Sequence, residues 1–118
     1  MKQSFVFSIL IVLTIFGCTN DNSNTLSEPV TPTGILTYNN SVKAIIDNNC
    51  ISCHGTVPTN NAPFSLTTYA DVKLNISETI VRISRANGAV GIMPKGGSRL
   101  PQASIDAVIK WQADGLLQ

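Results

Sequence analysis

Cys50-Ile51-Ser52-Cys53-His54 is the stretch on which the reading of this 118-residue chain turns. Two thiols three residues apart, on one turn of helix, can reach the two vinyl groups of one porphyrin and form thioethers. The next residue then places an imidazole under the iron. The spacing is the attachment pattern of a c-type haem, with Cys50 and Cys53 as thioether residues and His54 as proximal ligand. Two plainer readings compete. A thioredoxin-type dithiol expects strands alternating with helices, and no such pattern is visible. A zinc site needs four ligands, whereas the chain has three cysteines and one histidine in all.

The second axial ligand follows from scarcity. Beyond Met1 the chain has a single methionine, Met93, set in Gly91-Ile92-Met93-Pro94-Lys95-Gly96-Gly97, a loop composition dense in Pro and Gly. Such a loop can bring a thioether over the distal face of a haem while Pro94 limits its freedom. A gap-filling core methionine is the plain alternative. Lys95 is the competing ligand and would first have to lose its proton. Phe64, Leu66, Ile92 and Leu100 are candidate wall residues. Arg82 and Arg85 sit three apart on one helical segment, where they either meet haem propionates or form a solvated face.

Working outward, the N-terminus is Met1-Lys2-Gln3-Ser4 followed by a twelve-residue apolar run, Phe5 to Phe16. A run this short suits a signal-peptide core better than a membrane-crossing helix, which needs about twenty residues. Ile15-Phe16-Gly17-Cys18 resembles a bacterial lipoprotein lipobox, although Phe16 is bulkier than the residue usual there. That resemblance implies cleavage before Cys18, lipidation of its thiol and an exported, membrane-anchored protein. The domain would face the periplasm, with the outer membrane slightly favoured because Thr19 rather than Asp follows. An ordinary secretory signal with an incidental Cys18 is the alternative. Residues 1–17 are thus read as signal and 18–34 as a lipid-anchored tether. Residues 19–34, TNDNSNTLSEPVTPTG, carry too little apolar surface to fold. They would reach roughly 55 Å fully stretched and average roughly 20–25 Å as a coil.

What remains, 35–118, is one domain of roughly 85 residues, close to where a single core becomes marginal. Its helices can be read from spacing. Tyr38, Val42, Ile45, Ile46 and Asn49 share a face, so about 39–49 should be helical and run into the haem motif. Thr68 and Asp71 fit a capping box opening a short helix to about Leu74. A separate helix from Glu78 to about Ala86 would be capped by Ser77 and stopped by Asn87-Gly88. A last helix begins near Pro101 and presents Ile105, Val108, Ile109 and Trp111 on one apolar face. No stretch alternates long enough to be a strand, so the fold class is all-α.

From about Leu36 to Leu117 the chain looks like a class I cytochrome c domain. The order is shared: a first helix, Cys-x-x-Cys-His, an irregular stretch, middle helices, a Met-Pro loop and a C-terminal helix with an aromatic. The resemblance implies a helical domain wrapped around one covalent haem c, its first and last helices crossing so that Trp111 meets the Tyr38/Val42/Ile46 face. It also implies a proline carbonyl on the proximal histidine, from Pro63 or alternatively Pro58. The stretch Gly55–Ala62 departs from the family pattern.

Function follows as an expectation. An iron held by both His54 and Met93 has no open position, which suits one-electron transfer rather than catalysis. The expected protein is a lipid-anchored, monomeric mono-haem cytochrome exchanging electrons transiently with redox protein donors and acceptors. If Met93 is not a ligand, the open iron instead suits a haem enzyme or a gas- or peroxide-responsive sensor; the lack of a second histidine counts against peroxidase chemistry. A haem-less binding lipoprotein is a third class. The chain has 8 basic and 7 acidic residues, and losing Lys2 with the signal balances them. Nucleic-acid binding is therefore not expected, and electrostatic steering of partners is weak.

Overall fold

The computed structural model describes residues 33–118. The expected signal, Cys18 and nearly all of the tether lie outside the described residues. Within them the fold is helical, with no strand, and no helix is long and apolar enough to cross a membrane.

The first helical element opens on a capping box. The Thr37 N–H donates to Asn40 Oδ1 at 2.9 Å, and the Asn40 N–H donates to Thr37 Oγ1 at 3.2 Å. A π-helical turn, Tyr38–Val42, follows, in which the Lys43 N–H bonds back five residues to Tyr38 O. It runs directly into α1, Lys43–Asn49. Tyr38, Val42 and Ile46 are buried at intervals of four, while Ile45 and Asn49 are half-buried at the edge of that face.

One long helix, α2 (Tyr69–Ile83), stands where two short ones were expected. The Thr68/Asp71 capping box does open it. No Pro or Gly interrupts the next fifteen residues, and Val72, Ile76, Thr79 and Ile83 form one uninterrupted buried stripe. Burying that stripe outweighs the local tendency of Ser77 to start a helix anew. Ser77 lies instead on the exposed side, where its hydroxyl accepts from Gln112 Nε2 at 3.1 Å. The helix also stops three residues before the expected Ala86, with Ser84 as C-cap.

Pro101 precedes α3, Gln102–Ala113, and its carbonyl accepts from the N–H groups of Ser104 and Ile105. The buried side chains are Ile105, Ala107, Val108 and Trp111. Ile109, expected on that face, is 40% exposed, and the small Ala107 takes the inward position. The last helix packs on the first element as well as on α2. Trp111, fully buried, lies with its ring 6.0 Å from Tyr38 and 6.3 Å from Tyr69. Trp111 Nε1 donates to Leu117 O at 2.6 Å, and the Tyr38 N–H donates to the same carbonyl at 2.8 Å. The crossing of first and last elements fixes where α1 ends, and therefore where Cys50 sits.

Candidate functional site

Beyond α1 the chain coils tightly. Cys50 is the C-cap of α1, and its own carbonyl accepts from the N–H groups of Cys53 at 3.1 Å and His54 at 2.9 Å. The motif is thus a turn stacked on the helix end rather than part of the helix. It sets both thiols and the imidazole against one cavity of 380 Å³, within the range of about 300–1,000 Å³ typical of small-molecule sites. Leu66, Phe64, Ile83 and Leu100 supply much of the apolar lining.

His54 is buried, with 8% of its surface exposed. Its Nδ1 lies 2.8 Å from Phe64 O, a bond that fixes the ring and leaves Nε2 as the nitrogen free to bind a metal. The carbonyl comes from Phe64, not from Pro63 or Pro58. Pro63 does line the cavity, whereas Pro58 does not. The ring of Phe64 also lies 5.0 Å from the imidazole. A further bond, from the Leu66 N–H to His54 O at 2.8 Å, ties the same two segments together.

The two thiols differ in surroundings. Burial pushes the Cys50 thiol up to about 11, so it stays protonated at neutral pH. Cys53 accepts a hydrogen bond from Asn60 Nδ2 at 3.4 Å. Asn60 and Asn61 both adopt positive φ, 53° and 64°, a conformation that asparagine tolerates better than most residues. This double left-handed turn brings both asparagines to the cavity wall. They were not anticipated, although Asn-Asn two residues before a proline is a turn signal.

Met93 reaches the same cavity from the loop after α2, half-buried against the core, with Pro94 and the exposed Lys95 beside it. Its N–H donates to Arg82 O at 3.2 Å. Arg82 is on the cavity wall, its Nε 2.6 Å from Glu78 Oε1 in a half-exposed pair. Arg85 is not on the wall: its guanidinium donates to Val90 O. Ile92 is likewise buried away from the cavity, whereas Phe64, Leu66 and Leu100 line it as expected.

One cavity thus gathers two thiols, an imidazole with one nitrogen free and a thioether. The donor chemistry fits a covalently held haem: Cys50 and Cys53 would carry the links, and His54 and Met93 would ligate the iron. Among the described residues no three His, Cys, Asp or Glu side chains lie close enough together to hold one metal ion directly, so the four-ligand set of a structural zinc is not assembled there. No protein-family model matches the chain, and comparison with curated proteins and with solved structures finds no match for it.

Proposed function

We propose that the chain is an exported, lipid-anchored c-type cytochrome that carries single electrons between redox proteins at a bacterial membrane. The observation that carries the reading is the convergence of Cys50, Cys53, His54 and Met93 on one largely apolar cavity. Sequence separation alone does not require His54 and Met93 to share a cavity.

A haem bound there supplies a one-electron couple. The chain's own residues do the rest. The Phe64 carbonyl accepts from His54 Nδ1–H and so holds the imidazole in the tautomer whose Nε2 lone pair is free for the iron. Met93, a weak sulfur donor, favours the reduced state relative to a second histidine. The apolar lining from Leu66, Ile83 and Leu100 disfavours the extra positive charge of the oxidised state. Were His54 and Met93 both to hold the iron, no place would be left on it for a substrate, which suits one-electron exchange rather than catalysis. Small, short-lived encounters suit such a task. Lys95, exposed beside Met93 on the cavity wall, gives this side of the molecule one positive charge to offer an acidic partner.

The test is the optical spectrum of the chain matured with the c-type haem machinery, taken oxidised, reduced and reduced under carbon monoxide. A low-spin covalent chromophore, a weak sulfur-to-iron band in the oxidised form and no response to carbon monoxide are expected. A high-spin spectrum or a ready carbon monoxide shift would replace the carrier reading with an enzyme or sensor. Absence of any covalent chromophore would leave a haem-less binding protein.

A further inference from the structure

The loop that delivers Met93 is fastened by arginines. In the last turn of α2, Arg82 places its Nη1 3.5 Å from Gly91 O, and just past the end of the helix the Arg85 guanidinium donates to Val90 O. Arg99, at the far end of the loop, donates from Nε to Arg85 O at 3.1 Å, and its N–H donates to Asn87 Oδ1 at 3.2 Å. The loop is therefore tied at its start to the end of α2 and at its far end to the turn that follows α2. Gly91 explains why the guanidiniums of Arg82 and Arg85 can come so close. Its φ is +75°, and a Cβ there would lie 2.5 Å from Arg82 Nη1 and 2.8 Å from Arg85 Nη1. Any side chain at 91 would have to drive both guanidiniums off the loop.

We infer that Arg82 and Arg85, with Gly91 beneath them, form a latch that positions Met93 and keeps the sixth iron position closed. Neither guanidinium acts on the iron directly. Each is a positioning residue, working through the carbonyls of Val90 and Gly91, three and two residues before the sulfur-bearing side chain. The Arg82 carbonyl completes the device by holding the Met93 N–H at 3.2 Å. Arg85 is thereby committed to the loop backbone, and the wall of the cavity is left to Arg82. The inference rests on Met93 being a ligand, as proposed above.

The test compares the full matured chain with Arg85→Gln, Arg85→Lys and Gly91→Ala. The first readout is amide hydrogen exchange at residues 89–93 and across α3. The second is the rate at which carbon monoxide binds the reduced protein. Arg85→Gln and Gly91→Ala should speed exchange at Met93 by about tenfold, the factor expected when a charge-assisted hydrogen bond is lost. Carbon monoxide binding should accelerate with it while α3 exchange stays unchanged. Arg85→Lys keeps a cation for Val90 O and should recover part of the effect. Should Arg85→Gln fail to accumulate, Gly91→Ala and Arg85→Lys carry the same readouts. Unchanged loop exchange and gas binding in these variants, or an equal rise across α3, would overturn the latch. Failure of the ligand reading looks different: the unmodified chain itself would bind carbon monoxide freely.

Discussion

The carbonyl that orients His54 belongs to Phe64, one residue past the nearer of the two prolines expected to supply it. Every residue has a carbonyl, so no side chain advertises this role, and a one-residue shift in an irregular stretch leaves no trace in composition. The side chains proposed to hold the haem were legible for the opposite reason: thiol, imidazole and thioether are scarce here. Arg85 was legible only as a charge on a helix. The chain leaves α2 before Arg85, whose guanidinium turns to the Val90 carbonyl close over Gly91, a placement that helical spacing does not reveal. Tyr38 is a further residue-scale surprise: its hydroxyl is buried and without a partner among the described residues, and burial pushes its pKa upward. At this scale the decisive variant is Met93→Ala. Under the proposed ligation it should lower the reduction potential and turn a reduced protein inert to carbon monoxide into one that binds it stoichiometrically. Redox titration and gas binding read both effects, and an unchanged potential would remove Met93 from the ligand set.

Among the elements, α2 shows how a stripe overrides a local signal. Thr68 and Ser77 look equally good as helix starters, each followed by helix-forming residues. Only Thr68 is used, because Val72, Ile76 and Ile83 demand a continuous axis through position 77. The first and last helices were legible because each carries an apolar face, and the last also begins at a recognisable boundary, Pro101. The Thr37 capping box that opens the first, two residues before the expected start at 39, was not legible because its partner is Asn40 rather than an acidic residue. The misplacement of Ile109 has a similar origin. Spacing allowed either Ala107 or Ile109 to turn inward, and the smaller residue fits where α3 approaches its neighbours. The difference between the two hydroxyl residues can be measured. Thr68→Ala loses the acceptor for the Asp71 N–H and should destabilise the protein by about 1 kcal/mol. Ser77→Ala loses only an exposed bond from Gln112 and should stay within about 0.5 kcal/mol of the parent. Denaturant melts of both variants decide it, and equal losses would mean that a break at Ser77 exists after all.

On the scale of the whole molecule, the two ends of the described chain are joined through Asp114. Its carboxylate takes Lys110 Nζ at 2.8 Å on both oxygens and the Leu36 N–H at 3.2 Å on one of them. The hydrogen bond from Lys110, followed by that from Leu36, holds the carboxyl below its ordinary value of 3.8. A folded-state pKa below the unfolded one means that the unfolded chain takes up protons more readily. The bridge therefore contributes its full stability above the ordinary carboxylate range. That contribution falls away as the pH drops below 3.8 and through the lower folded value. Asp71 behaves in the same sense, lowered first by its hydrogen bond from Thr68, so acid weakens the start of α2 together with the junction of the ends. Asp114→Asn keeps an acceptor for Leu36 but gives up the charge facing Lys110. At neutral pH the variant should melt slightly below the parent. The gap should close as the pH falls past the carboxylate range, because the parent then loses what the variant already lacks. Melting curves of both proteins from pH 7 to pH 3 measure that closure, and a gap independent of pH would mean that packing around residue 114, rather than its charge, joins the first element to the last.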